Sequence, residues 1–247
     1  MWQRCEDWLE RQVPGMGLRA TLLTASSLLL MLGYWLVPMR KLVPAAFLEW
    51  SAALTGIPYP NFHKYLADHL WALVLLMVVP LLISRFALKL KARDLGLGLR
   101  GAGREFLVVG GLYALFVPLA WFASTRPGFQ NTYPRMQIVE TMPWIFLAFH
   151  VAYLIKWVAW EFFFRGFLLL GFWKDFQGKA VLMSTVPFVL MHYGKPRIEV
   201  FAAILAGLLM CWLVVKGRSI WPGVLLHWGA AMTVELFSTQ WFWALFS

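Results

Sequence analysis

The hydrophobic pattern of the chain is a series of long apolar runs separated by short polar stretches. A run of about 20 predominantly apolar residues is long enough to cross a bilayer as an α-helix. We therefore predict an all-α protein, a polytopic membrane helix bundle with about six to eight transmembrane or half-membrane helices. The clearest runs occupy roughly residues 18–38, 65–84, 105–123, 197–216 and 219–246.

Three stretches are less regular than these runs. Residues 41–64 are interrupted by Pro and Gly, so we expect a half-helix that lies in the membrane interface. Residues 142–173 are too long for one straight crossing, which predicts either a long tilted helix or a helix that breaks near Lys156. Residues 179–193 form a short apolar run that ends at a Gly and a Pro.

Composition supports the membrane interpretation. The chain is 61% hydrophobic and only 14% charged, whereas soluble domains carry roughly 25% charged residues. The formal net charge of +10 could suggest a nucleic-acid partner, but no motif of that class accompanies it. Lys and Arg instead concentrate in the loop 85–105, which the positive-inside rule predicts to be cytoplasmic. We therefore expect a lipid bilayer around the protein and no nucleic acid.

The organisation predicted is a single membrane domain over residues 1–247, without an internal repeat or a soluble domain. Residues 1–17 are amphipathic and are predicted to form an interfacial segment rather than a cleavable signal peptide. Residues 18–123 hold the N-terminal helices. Residues 140–240 form the core in which the chemistry is expected.

Ionisable side chains inside apolar runs mark functional sites by default, because a charge in the bilayer is costly unless it is paired and useful. Glu161 and Arg165 are four residues apart, which places them on one face of a helix, one turn from each other. Two histidines of later runs, His192 and His227, complete the candidate catalytic set. Two further carboxylates could support the site: Glu199 and Glu235.

Each candidate also has a structural interpretation. Glu161 and Arg165 could form an ion pair that joins two helices, and His192 could bond a carbonyl at a helix end. Glu199 begins a helix, where the helix dipole alone favours a carboxylate. Glu235 could point into the outer headgroup region.

The candidate residues suit hydrolysis of an amide bond within the membrane. A carboxylate in a dry site can act as general base on water, and a neutral imidazole can share that water or donate to a developing oxyanion. The same groups could instead bind zinc. No HExxH helix is present, so we predict no metal and no other cofactor, with zinc as the open alternative.

The motifs resemble those of the CAAX protease and bacteriocin-processing family, also called the Abi family, of intramembrane glutamic endopeptidases. They are Glu161-x-x-x-Arg165-Gly166, then Phe188-x-x-x-His192, then His227 in a last long helix. The order and spacing of the motifs agree over about residues 140–240.

The resemblance also implies roles for individual residues. In the family, the first Glu of a Glu-Glu pair and the first His are held to activate water, and the second His with an Asn is held to stabilise the oxyanion. Here Trp160 stands in place of the first Glu, and Ala231 stands in place of the Asn. Either Glu161 takes over as the base, helped by Glu199, or the protein is a non-catalytic relative.

Two functions follow. The favoured one is an intramembrane endopeptidase in a bacterial inner (cytoplasmic) membrane, acting on membrane-associated peptides or proteins. In it Glu161 and His192 activate water, His227 binds the oxyanion, and Arg165 fixes the Glu161 carboxylate. The alternative is a catalytically inactive relative that binds and scaffolds a partner, since an apolar cleft suits packing. A transporter or lipid handler is disfavoured, because the helices show no inverted repeat of broken segments.

The endopeptidase hypothesis makes a geometric prediction. The side chains of Glu161 and His192 should approach to within about one water molecule, with His227 on the same cavity. Trp160 should point away from Glu161 or cap that cavity. A break or strong tilt between residues 142 and 157 should bring the two motifs to one depth.

Overall fold

The computed structural model describes residues 2–12, 17–99 and 101–246, and all of their regular structure is helical. Of the predicted interfacial segment 1–17, the stretch 2–12 is helical, and residues 13–16 lie outside the described residues. The helices in chain order are α1 (Trp2–Gln12), α2 (Leu18–Leu36), α3 (Met39–Leu42), α4 (Ala45–Thr55), α5 (Pro60–Phe86), α6 (Gly103–Ser124), α7 (Pro127–Gln130), α8 (Pro143–Phe176), α9 (Lys179–Leu190), α10 (Arg197–Gly217), α11 (Trp221–Phe237) and α12 (Gln240–Trp243).

Five of these helices are long and apolar enough to cross a membrane: α2, α5, α6, α8 and α10. The helix α9 is apolar but has only 12 residues, and α11 has 17. The predicted polytopic helical bundle is therefore confirmed, and the protein is an integral membrane protein. The interrupted stretch 41–64 contains the end of α3, all of α4 and the start of α5, and α3 and α4 end just before Pro44 and Gly56.

The long helix α8 decides between the two alternatives predicted for this stretch. It runs without a break for 34 residues, so the continuous helix is present and the break near Lys156, or anywhere between residues 142 and 157, is not, while the strong tilt stays a prediction. The reason is local, because no Pro or Gly lies between Trp144 and Phe164 to interrupt the backbone hydrogen bonds. The irregularity comes later, where Phe162–Leu170 adopts the wider π-helical geometry.

Gly166 lies within this π-helical segment and has a specific reason to be glycine. A Cβ atom at this position would lie 2.7 Å from the carbonyl oxygen of Leu95, which is closer than real Cβ atoms approach backbone atoms. The absence of a side chain thus lets α8 pack directly on the loop after α5. π-helical turns are frequent at functional sites, and this one begins directly after Glu161.

The helix α8 is also the centre of the bundle. Half of its most apolar window is buried inside the protein, against a third or less for the other four long helices. Its π-helical segment is aromatic, and the side chains of Phe162, Phe163 and Phe167 are completely buried. Every side chain that α8 presents in this region therefore meets protein rather than lipid.

The two ends of the bundle are distinct. At the end that carries the basic loop 85–105, called here the basic end, the Ile220 amide donates to the Gly96 carbonyl at 2.9 Å. At the opposite end, called the distal end, the loop between α6 and α8 packs on other helices. This loop, residues 125–142 with the short helix α7, is called the distal loop. Tyr65 of α5 donates to the carbonyl of Arg135 in this loop at 3.1 Å. The amide of Gln240 donates to Glu140 of the same loop at 2.9 Å.

Candidate functional site

The first motif forms a fully buried ion pair. Glu161 is the last residue of the α-helical part of α8, and Arg165 follows one turn later. The Nε atom of Arg165 lies 3.4 Å from Oε2 of Glu161, and both side chains have no exposed surface. The predicted pairing of Arg165 with a carboxylate is therefore present. We call Glu161, Arg165 and His227, whose imidazole contacts Glu161, the inner cluster.

The third motif supplies the imidazole of the inner cluster. His227 lies in the second turn of α11, and its Nδ1 atom is 2.7 Å from Oε1 of Glu161. One ring face of His227 lies against Trp157, with ring centroids 3.8 Å apart. The carboxylate thus has an arginine on one oxygen and a histidine on the other.

The second motif reaches the inner cluster through Phe188. The Arg165 guanidinium lies 4.0 Å from the centroid of the Phe188 ring, an attractive cation–π contact in a dry site. The Phe188 carbonyl accepts a hydrogen bond from Nδ1 of His192 at 2.8 Å. The spacing Phe188-x-x-x-His192 therefore has a physical purpose, because the aromatic ring packs on the arginine while its carbonyl orients the histidine one turn later.

The two histidines come from different helices but lie close together. The ring centroids of His192 and His227 are 6.5 Å apart, and their planes are tilted by 14°. No hydrogen bond among the described residues joins Glu161 to His192, so the direct neighbour of the carboxylate is His227. Burial lowers the pKa of His192, which lies in the turn after α9, to about 4, so this imidazole is neutral at neutral pH.

Exposure differs sharply within the site. The side chains of Glu161 and Arg165 are completely buried, whereas the His227 side chain is 11% exposed. His192 is also partly exposed. The imidazoles therefore keep accessible surface, whereas the carboxylate has none.

Trp160 and Ala231 depart from the family pattern, and both of these apolar residues also have apolar surroundings. The Trp160 ring is buried and meets Tyr34 of α2 edge-on, with centroids 5.9 Å apart. It thus points toward α2, as the prediction that it turns away from Glu161 requires. Ala231, one turn after His227, is partly buried against the hydrophobic core.

The two supporting carboxylates lie elsewhere. Glu199 accepts a hydrogen bond from the Tyr133 hydroxyl at 2.7 Å and pairs with Lys195 at 3.2 Å. Glu235 accepts from the backbone amide of Arg135 at 2.9 Å, and its other oxygen lies 3.4 Å from the Nε atom of the same arginine. These five residues form what we call the distal cluster. It ties the distal loop to α10 and α11, and Glu235 is buried rather than placed at an outer surface.

Electrostatics in the distal cluster follows from burial. Removal from water and the nearby Arg135 together lower the pKa of Lys195 to about 8, although Glu199 opposes the shift. Burial likewise raises the pKa of the Tyr133 phenol above its usual value. The lysine is thus close to losing its charge in the alkaline range.

Sequence reasoning missed two residues of the site. Trp157 packs on His227, and Met210 of α10 places its sulfur 3.5 Å from Nη2 of Arg165. Trp157 could have been found, since it precedes Glu161 by four positions and so shares its helix face. Met210 carried no such signal, because its contact depends on how α10 crosses α8.

A metal site would need several suitable ligand side chains close together. Among residues 2–12, 17–99 and 101–246, no group of three or more His, Cys, Asp and Glu side chains is placed so that it could hold a metal ion. A carboxylate bonded to an imidazole, with a second imidazole beside it, can orient and deprotonate a water molecule without further ligands.

Comparison with known families agrees with the motifs. Residues 142–233 match the family described as type II CAAX prenyl endopeptidase Rce1-like. The matched segment begins just before α8 and contains Glu161, Arg165, His192 and His227, so the resemblance seen in the sequence is confirmed. No curated protein and no solved structure shows significant similarity to the chain. The similarity is thus to a family of endopeptidases, and it covers the part of the chain from just before α8 into α11.

Proposed function

We propose that the protein is an intramembrane endopeptidase in which His227, oriented by Glu161, acts with His192 to activate water. The observation that carries this proposal is the 2.7 Å contact between Glu161 and Nδ1 of His227 inside a fully buried ion pair. A carboxylate that accepts the Nδ1 proton holds the imidazole in the tautomer whose Nε2 atom is a base.

The second imidazole is held in the same tautomer. Nδ1 of His192 donates to the Phe188 carbonyl, which leaves Nε2 of this ring as an acceptor too. The ring separation of 6.5 Å lets one water molecule donate to both Nε2 atoms when these face each other. Such a water has its lone pairs free to attack a carbonyl carbon.

The proposed reaction conserves protons and atoms. The water oxygen bonds to the peptide carbonyl carbon while one water proton passes to Nε2 of His227. The imidazolium formed there is stabilised by Glu161, and it gives the proton to the leaving amine as the carbon–nitrogen bond breaks. Arg165 is a positioning residue, because it holds the second oxygen of Glu161.

This assignment differs from the one that the family resemblance implies. There, a glutamate activates the water and the second histidine stabilises the oxyanion. Here Glu161 has no exposed surface and both of its oxygens have protein partners, while His227 is partly exposed. The burial therefore favours the imidazole as the base and the carboxylate as the group that orients it.

The substrates we propose are membrane-associated peptides or proteins, because a site inside a helix bundle is reached from the bilayer. Such an enzyme would act in a bacterial cytoplasmic membrane, which is also where the basic loop 85–105 would face the cytoplasm.

The test uses purified protein in detergent micelles and a pool of synthetic lipidated and transmembrane peptides. New carboxyl termini are detected by mass spectrometry in heavy-oxygen water, since hydrolysis places one solvent oxygen in each product. His227→Ala should lower the cleavage rate about 10²- to 10⁴-fold, the usual contribution of a general base. Glu161→Gln should lower it by a smaller factor, because the amide oxygen still orients Nδ1 but no longer stabilises the imidazolium.

Glu199→Gln is the matched control, since it removes a carboxylate of the distal cluster and should leave the cleavage rate unchanged. Wild-type rates in both His227→Ala and Glu161→Gln would exclude the proposed mechanism.

A second candidate function is a non-catalytic partner-binding protein. It is favoured by the apolar Trp160 and Ala231, which stand where the family pattern has two polar residues. In that case no peptide is hydrolysed, and a partner membrane protein co-purifies with wild type and with the Glu161→Ala and His192→Ala variants alike. Loss of the partner in both variants would count against this alternative.

A further inference from the structure

A second site lies at the distal end of the bundle, apart from the two histidines. It is a cavity of about 880 Å³ between the end of α2, the start of α5 and the distal loop. This volume is in the range of pockets that hold small molecules or headgroups. The charged side chains that line it are Arg40, Lys41, Lys64, Arg135, Lys156 and Asp68.

The cavity has a large excess of positive charge. Five of its lining side chains are cations. The one carboxylate in the lining, Asp68, forms an ion pair with Lys156, with Nζ 3.0 Å from Oδ2. Arg135 is paired with Glu235. The remaining three cations, Arg40, Lys41 and Lys64, form no ion pair with any residue that the structure describes. Cations that the protein leaves unpaired in a concave site favour an anionic ligand.

The neutral groups of the lining suit a phosphate. Three tyrosines contribute to the wall, Tyr34, Tyr59 and Tyr65. The Tyr65 hydroxyl already donates to the Arg135 carbonyl and the Tyr59 hydroxyl to the sulfur of Met142, which leaves the Tyr34 phenol to donate to a phosphate oxygen. The Arg40 guanidinium lies 4.9 Å from the centroid of the Tyr65 ring, which holds its planar donors at the cavity wall. Arg and Lys are the side chains that most often bind phosphate groups in proteins.

The position of the cavity points to a lipid as the source of that phosphate. It opens where α2 ends, beside Trp35 and Leu36, which are 63% and 67% exposed. A Trp with this exposure at the end of a membrane span is typical of the headgroup level. Arg40 and Lys41 follow directly in α3, so we expect these cations at the level of the lipid phosphates.

We propose that this distal basic cavity binds the phosphate-bearing headgroup of an anionic membrane lipid, with Arg40, Lys41 and Lys64 as its direct contacts. The acyl chains would run along the exposed apolar surface of α2. The unpaired positive charge of the cavity and its position at the headgroup level both favour such a ligand. The proposal does not depend on the proposed proteolysis, since none of its contacts belongs to the inner cluster.

The experiment measures lipid binding by native mass spectrometry of the full chain in detergent micelles. The probes are phosphatidylglycerol, phosphatidylcholine, inorganic phosphate and a synthetic peptide with an acidic carboxyl terminus. Wild type should retain one phosphatidylglycerol at concentrations where phosphatidylcholine does not bind. The Lys41→Gln/Lys64→Gln double variant should bind phosphatidylglycerol roughly 25-fold more weakly, because each cation facing an anionic headgroup contributes about a factor of five.

The matched control is Lys89→Gln/Arg104→Gln, which removes the same charge from the exposed surface of the basic end and should keep wild-type binding. Thermal unfolding of both double variants shows whether each is folded. Equal weakening in the two double variants, or equal binding of phosphatidylcholine, would overturn the proposal. Displacement by inorganic phosphate at similar concentrations would assign the cavity to a free anion instead, and binding of the acidic peptide alone would assign it to a protein ligand.

Discussion

The inner and the distal cluster both place carboxylates and cations inside the helix bundle, but they differ in which groups remain accessible. In the distal cluster, each oxygen of Glu199 has a partner, and the residues join a loop to two helices. In the inner cluster, the protein takes up both oxygens of Glu161 and leaves the His227 imidazole partly exposed. The distal cluster therefore holds the distal loop against α10 and α11, whereas the inner cluster leaves the His227 imidazole available as a base.

A charged residue inside a membrane helix does not by itself identify a catalytic site. Glu235 is only 2% exposed, yet its role is to accept a hydrogen bond from a backbone amide of the distal loop. Burial and charge alone do not separate the two clusters. What separates them is that Lys195 and Glu199, the partly exposed side chains of the distal cluster, are hydrogen-bonded to protein groups, whereas Nε2 of His227 has no protein partner among the described residues.

The largest effect on stability is expected at the inner cluster. Arg165→Met should lower the free energy of unfolding by about 3–5 kcal/mol, because it leaves the Glu161 carboxylate buried without its cation. Thermal unfolding in detergent measures the change. The Glu161→Gln/Arg165→Met double variant should lose less stability, since no uncompensated charge remains. An equal or greater loss in the double variant would contradict the ion-pair interpretation.

A smaller effect is expected when the distal cluster is broken. Arg135→Met should cost about 1–3 kcal/mol, because the buried Glu235 carboxylate loses its cation but keeps the hydrogen bond from the backbone amide of residue 135. Its effect on peptide cleavage per folded molecule should be negligible. If cleavage fell as far as in His227→Ala, the distinction between a structural and a chemical cluster would be lost.

The pH dependence of stability tests the electrostatics of the distal cluster through Lys195. The pKa of Lys195 is lowered to about 8 in the folded protein, so between pH 8 and 10 the unfolded chain holds more protons at this group than the folded one. Stability from this group therefore rises with pH in that window, by about 1–3 kcal/mol. Lys195→Met should show a correspondingly flatter rise between pH 8 and 10 in thermal unfolding. Parallel wild-type and variant curves would exclude a lowered pKa.

The smallest effect is expected at the partly exposed end of the distal cluster. Lys195 and Glu199 are an i,i+4 pair with about a quarter of each side chain exposed. A double-mutant cycle with Lys195→Met and Glu199→Gln should give a coupling of about 0.3–0.5 kcal/mol. A coupling several times larger would place this pair with the inner cluster in energetic terms.

Much of the fold follows from the sequence, because a membrane helix is specified by its own residues. The runs predicted near 18–38, 105–123 and 197–216 agree with α2, α6 and α10 to within about two residues, as expected when length and hydropathy decide. The pairing of Glu161 with Arg165 also follows from spacing, since residues four apart meet on one helix face.

The tertiary structure decided which polar groups meet across helices. Nothing local says that His227 rather than His192 contacts Glu161, or that Glu199 and Glu235 turn to the distal loop. Those contacts depend on how α11 and α10 pack against α8, and packing depends on side-chain shapes from distant parts of the chain. The sequence alone therefore determined the helices and the residues capable of chemistry, and the packing of the helices determined which of them can act together.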